Sequence, residues 1–204
     1  MPLSRTLIAA AVLIAALCGG CATNPVTGKS DVVTMSAEQE VAIGRDAHPK
    51  ILQKYGRYDD EELRAYVSGI GRRIAAVSHR PDLQYTFTIL DTEDINAFAL
   101  PGGYVYVTRG IMAYLNSEAE LVAVVGHEVG HVTARHAVRQ QTGAAATGIG
   151  ALLVGILTGS GDLANVANMA GSALVSGYGR DMELEADDIG AQYLDRLGYD
   201  PDAM

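Results

Sequence analysis

Five consecutive residues, His127-Glu128-Val129-Gly130-His131, hold the most specific chemistry in the chain. On an α-helix, positions i and i+4 stand one above the other on the same face. His127 and His131 can therefore offer two imidazole nitrogens to a single ion. Glu128 sits about 100° round the helix from His127, near enough to hold a water on that ion without being a ligand. Zinc with two His ligands and an open position makes a nucleophilic hydroxide near neutral pH, and Glu128 can take and return the proton. The plain alternative is a pair of surface histidines four residues apart. A true helix, a third ligand and an acidic neighbour separate the two readings.

The helix is well specified. Ser117 is a good N-cap, and Ser117-Glu118-Ala119-Glu120 has the pattern of a capping box. Leu121, Val122, Val124, Val125, Val129 and Val132 then make the segment strongly apolar, as in a core helix. Gly126 and Gly130 each cost about 1 kcal/mol relative to Ala in a helix interior. Their place beside the histidines indicates a close approach, by a ligand or by another helix. Downstream, Arg180 to Gly190 reads as a second helix, with Gly198 as its C-cap. Glu183 and Asp187 share one of its faces, while Glu185 points elsewhere. Glu183 would complete a His-His-Glu site with one position free for water. Asp187, one turn on, is placed to accept the other ring N–H of a ligating histidine and fix its tautomer. Taken alone, these acids read as a solvated helix face; beside H-E-x-x-H, the metal site is the better account.

At these residues the chain resembles the HtpX-like and CAAX-prenyl-protease-like zinc metallopeptidases. The resemblance rests on H-E-x-x-H, on Glu183 and Asp187 within Arg180-x-x-Glu183-x-x-Ala186-Asp187, and on the segment Asn96-Ala97-Phe98-Ala99-Leu100-Pro101-Gly102-Gly103. It runs from about Asn24 to the last residue and is closest to the family's bacterial lipoprotein branch. It implies an α+β, mostly helical zincin-type core, with a small antiparallel sheet or hairpin beside the H-E-x-x-H helix. It also implies one Zn2+ per chain on His127, His131 and Glu183, Glu128 as general base, and a substrate cleft beside Asn96, Ala97 and Phe98. For Asn96, turn-forming and substrate-contacting roles are both open. The substrates implied are misfolded or misassembled envelope proteins.

The rest of the chain bounds this reading. Its 204 residues, 49% hydrophobic, suffice for one sizeable core, and a formal charge of −9 argues against nucleic acid. Residues 1–20 read as a signal peptide: Arg5 is followed by an apolar run from Thr6 to Leu17, too short for a comfortable transmembrane helix. The run ends in Cys18-Gly19-Gly20-Cys21, which resembles a bacterial lipobox with Cys21 as the lipidated residue. The match is imperfect, with Cys18 where Leu is usual. An outer-membrane lipoprotein is the expectation, and an ordinary cleaved, soluble exported protein the alternative. Residues 21–35 read as the lipidated terminus and a turn-rich tether, and residues 36–204 as the metallopeptidase domain.

Within that domain, Ser36 caps a helix running towards Gly56, with an interruption expected at His48-Pro49 and His48 a surface or capping residue. A second helix follows Asp59, with Glu62 as its capping-box partner and Leu63 to Val77 keeping helical spacing. Gln84 to Leu90 and Tyr104 to Thr108 read as strands, the second preceded by a tight Pro101-Gly102-Gly103 turn. Arg135, His136 and Arg139 read as a basic patch favouring the helix dipole, with His136 off the ligand face. Residues 143–179 are rich in Ala and Gly and admit three readings: two small-residue helices, a loop over the active site, or a membrane insertion, which the short apolar run disfavours. Against the peptidase stand two rivals: a chaperone-like assembly lipoprotein that binds clients with little cleavage, and a metal-free structural lipoprotein.

Overall fold

The structure, a computed structural model, describes residues 21–33, 35–146 and 178–204. The expected signal peptide and most of the Ala/Gly-rich stretch lie outside these residues. Strands β1 (Cys21–Thr23) and β2 (Ser30–Val32) pair antiparallel, so the segment read as a tether contains a small hairpin. Its turn is organised by Asn24, whose Oδ1 accepts from the N–H groups of Val26 and Thr27.

Helix α1 (Ala37–Tyr55) opens on a complete capping box between Ser36 and Gln39 and runs unbroken through Pro49, against the expected interruption. Proline removes one i→i−4 bond. The carbonyl left over belongs to exposed Arg45, where water can serve it. His48 holds the adjoining turn to the sheet: Nδ1 lies 2.7 Å from the Tyr106 hydroxyl, and its ring lies against Tyr104 and Tyr106. It is a packing residue rather than a cap. Helix α2 (Glu61–Val77) is capped by Asp60, which accepts from Leu63 N–H, one residue later than the Asp59–Glu62 pattern indicated. Val67, Ile70 and Ile74 form its buried stripe.

Three strands follow: β3 (Thr86–Leu90), β4 (Ala97–Leu100) and β5 (Tyr104–Thr108). β5 is central, pairing parallel with β3 and antiparallel with β4. The hairpin across Pro101-Gly102-Gly103 is therefore β4–β5, and among the described residues β4 is an edge strand with one side unpaired. Both turn glycines have left-handed φ, 80° and 92°, a conformation that strains other residues. After the short helix α3 (Arg109–Met112) comes α4 (Glu118–Thr133), the H-E-x-x-H helix. Ser117 Oγ caps it by accepting from Glu120 N–H, but the Glu120 carboxylate reaches Asn116 N–H instead of closing the box. A left-handed residue, Arg135 (φ 56°), separates α4 from α5 (His136–Ala146). Helix α6 (Arg180–Leu197) ends at left-handed Gly198, as expected, before a 3-10 turn over Pro201–Ala203. The α+β reading holds. Among the described residues, no helix is long and apolar enough to cross a membrane.

One core joins these elements. Val122, Val125 and Val129 of α4 pack with Ile70 and Ile74 of α2, Ile89, Val105 and Val107 of the sheet, and Ile189, Tyr193 and Leu194 of α6. The glycines beside the histidines serve the α4–α6 contact. A Cβ on Gly130 would stand 3.0 Å from the Ala186 carbonyl oxygen and 3.3 Å from its Cα, whereas one on Gly126 would meet nothing closer than 3.4 Å. Gly130→Val should therefore lower the thermal midpoint, by roughly the 1–3 kcal/mol typical of overpacking. Gly126→Ala should be neutral, or stabilising by up to about 1 kcal/mol through helix propensity. Equal effects at both positions would refute this account of the contact.

Candidate metal centre

Helix α4 presents His127 and His131 one turn apart, and α6 brings Glu183 across to them. The two Nε2 atoms lie 2.9 Å apart, and Glu183 Oε2 stands 3.4 Å from that of His127 and 3.7 Å from that of His131. Ligands about 2.0–2.1 Å from a tetrahedral zinc ion stand about 3.3 Å from one another. The triangle has that size. Among the described residues these three form the one group of histidine, cysteine and acidic side chains able to hold a metal ion, and two imidazoles with a carboxylate fit zinc.

Each donor is oriented from behind. His127 Nδ1 lies 2.8 Å from Asp187 Oδ1, so its ring N–H donates to that carboxylate while Nε2 faces the centre. Glu183 Oε1 accepts from the backbone N–H of Tyr178 at 3.2 Å, which leaves Oε2 directed at the histidines. The Tyr178 ring stacks on His131, with centroids 4.2 Å apart and planes at 24°. No spacing rule pointed to Tyr178, which belongs to the stretch read as helices or a loop. Burial, and then the neighbouring His127 and His136 imidazoles, push the His131 ring down to about 2, so it is a neutral lone-pair donor at physiological pH.

His136 is placed differently from the sequence expectation. The rotation argument assumed one continuous helix, on which a residue five beyond His131 faces away. His136 stays outside the three metal donors, but the turn at Arg135 brings it behind His131: it is fully buried and its Nδ1 lies 2.7 Å from His131 Nδ1. Arg135 has no glycine-like freedom, and a left-handed non-glycine residue costs on the order of 1–2 kcal/mol. Its guanidinium is held by buried Glu40 at 3.1 Å and by the Met35 carbonyl at 2.9 Å. Arg139 bonds Glu185 at 2.7 Å. The three basic residues, read from the sequence as a patch favouring the helix dipole, are thus specific partners of buried or half-buried groups.

The centre opens on a groove between α4 and the edge of β4. Glu128 lines it with His127, Asn96 and Ala97, and Ile95, Ile111, Leu115 and Val124 make its walls apolar. Thr108 holds the backbone of Asn96 on both sides, through its N–H and its carbonyl. Phe98, next to Ala97 on the strand, points to the other face of the sheet and stacks on Tyr106 with centroids 4.8 Å apart.

Burial, and then the charge of Glu183, push the Glu128 carboxyl up to about 8. In the metal-free protein the folded state keeps this proton up to that pH, whereas the unfolded chain loses it near 4.5. Between the two values the unfolded state binds fewer protons, so stability falls as pH rises and then levels off. Metal-free Glu128→Gln, which cannot ionise, should match the parent at pH 4. By pH 8 it should exceed the parent by an amount on the order of a few kcal/mol. Denaturant titrations across this range check it, and a pH-independent difference would contradict it.

The model of peptidase family M48 matches residues 61–204. The beta-barrel assembly-enhancing protease of Escherichia coli (strain K12) is 32% identical over 99% of this chain and 44% of its own length. Its namesake in Yersinia pestis is 33% identical over 88% of this chain and 39% of its own. A mitochondrial metalloendopeptidase of Schizosaccharomyces pombe is 32% identical over 88% of this chain and 54% of its own. The chain spans about half the length of these curated relatives, or less. Both ligand-bearing helices and the edge strand beside them fall inside the matched region, and the chain belongs to peptidase family M48.

Proposed function

We propose that the chain is the catalytic core of a zinc-dependent endopeptidase of the bacterial cell envelope. The observation that carries this reading is the donor triangle of His127, His131 and Glu183 at the head of a groove that Glu128 lines. A zinc ion held there supplies Lewis acidity at neutral pH. The β4 edge, whose side along the groove is unpaired among the described residues, accepts an extended peptide as an added strand and so aligns the scissile carbonyl. Small Ala97 leaves room for that backbone. Glu128 takes a proton from the attacking water and returns it to the departing amine. Asp187 holds His127 in register through its ring N–H.

The groove walls favour an apolar substrate side chain beside the scissile bond. Misfolded or misassembled envelope proteins, which expose such side chains in extended segments, are the natural substrate class. The names of the relatives in Escherichia coli and Yersinia pestis agree with it. Anchoring through a lipid on Cys21 would keep the core at the outer membrane facing the periplasm. The lipobox-like sequence Cys18-Gly19-Gly20-Cys21 supports this.

Cleavage of quenched fluorescent peptides tests the activity. Zinc-loaded protein should cleave peptides with a central Leu or Phe in preference to Asp or Lys. Glu128→Gln should lose at least about 100-fold in kcat while keeping its zinc. A folded, zinc-loaded protein that cleaves neither peptides nor unfolded envelope proteins would leave client binding without cleavage as the better account. For localisation, Cys21→Ser should move the protein from the membrane fraction to the soluble periplasmic fraction. Unchanged fractionation would rule out the lipid anchor.

A further inference from the structure

We propose that His136 is a positioning residue for the metal centre, fixing the tautomer and ring plane of His131 through a buried hydrogen-bond chain that ends on Glu185 and Arg139. The proposal rests on the reading of His131 as a metal ligand. His131 Nε2 faces the other two donors. A nitrogen that gives its lone pair to an ion carries no proton, so the single ring proton of His131 sits on Nδ1. That atom is 2.7 Å from His136 Nδ1. Two nitrogens at this separation share one hydrogen, and here it comes from His131. His136 Nδ1 must therefore accept, which puts its own proton on Nε2, 3.1 Å from Glu185 Oε2.

The same assignment follows from the opposite end. Glu185 Oε2 accepts from Arg139 at 2.7 Å, and a carboxylate held by a guanidinium is an acceptor only. His136 Nε2 must then donate to it, leaving Nδ1 free to accept from His131. Every hydrogen in the chain has one consistent direction, and that direction leaves His131 Nε2 bare towards the centre. The alternative tautomer of His136 would set two N–H groups against each other.

Burial makes the chain hard to replace. His136 is 0% exposed and the His131 side chain 3%, with the Tyr178 ring covering the face of His131. By contrast, His127 rests on an Asp187 side chain that is 56% exposed, where water can substitute. A simple core-filling role for His136 requires only its volume. A positioning role requires an acceptor at the place of Nδ1.

That difference sets the test, made on the full chain by competing zinc against a chromophoric chelator and by recording the cobalt spectrum of the metal-substituted protein. His136→Asn carries an amide oxygen where Nδ1 stood, whereas His136→Phe fills the site without an acceptor. The Phe variant should bind zinc 10- to 100-fold more weakly, the range typical when a partner behind a ligating histidine is lost. Its cobalt bands should shift. The Asn variant should recover most of the affinity and the parental spectrum. If the Phe variant fails to fold, His136→Gln replaces it, since its amide falls near Nε2 and offers His131 no acceptor. Equal zinc affinity in the Asn variant and in the variant lacking the acceptor would overturn the proposal, whether both match the parent or both are weakened alike. The parent protein and His127→Ala decide the ligand reading separately. A parent that binds no zinc sinks that reading and this proposal together, while a parent that binds zinc with unchanged His136 variants sinks only the proposal.

Discussion

The close approach of α4 and α6 is the constraint on which the metal centre depends. Two ligands come from one helix and the third from another, so the site exists only where the helix surfaces nearly touch. Side chains normally hold packed helix axes 8–10 Å apart. Here Gly126 and Gly130 on α4 meet Ala186 and Gly190 on α6, and a Cβ on Gly190 would stand 3.1 Å from the His127 backbone nitrogen. Each helical glycine gives up about 1 kcal/mol of intrinsic helix stability. The apolar residues around them, from Val122 and Val129 to Ile189 and Leu194, stabilise the pair by burial instead.

Electrostatics inside the centre follow from how deeply each group is set. His131 is kept neutral by burial, the state in which an imidazole can bind a cation. Glu128 is pushed the other way by the same burial, towards its protonated form. A bound cation reverses that tendency, because the ion becomes the largest local charge. One environment thus prepares neutral ligands and a carboxyl whose proton affinity depends on metal occupancy.

Much of this was legible in the sequence because it rests on short-range periodicity. The i, i+4 spacings of His127 with His131 and of Glu183 with Asp187 survive intact on continuous helices, and the α+β class came with the family resemblance that those motifs carry. Features that depend on distant partners were not legible. The contact of His136 with the back of His131 was missed because nothing local marks Arg135 as left-handed; the bonds that hold Arg135 come from Glu40 and Met35, far away in the chain. Pro49 signals a break that packing on Tyr104 and Tyr106 overrides. β4 is four residues long and largely buried, too short for a strand pattern, and the parallel pairing of β3 with β5 spans a segment that local turn signals cannot bridge.

The role of Glu40 bears on where the working unit starts. Its carboxylate is 1% exposed and receives both Arg135, at 3.1 Å, and Arg80, at 2.8 Å, while Arg80 also reaches the Val132 carbonyl near the end of the ligand helix. Removing one partner from a buried ion pair typically costs about 3–5 kcal/mol, because the charge left behind is neither solvated nor matched. The family match begins at residue 61, so Glu40 lies outside it. A fragment cut at that boundary would keep all three metal donors and Glu128, yet strand two guanidinium groups behind them. The physical boundary of the catalytic unit is set by charge neutrality, and it lies upstream of the residue at which the family model begins to match.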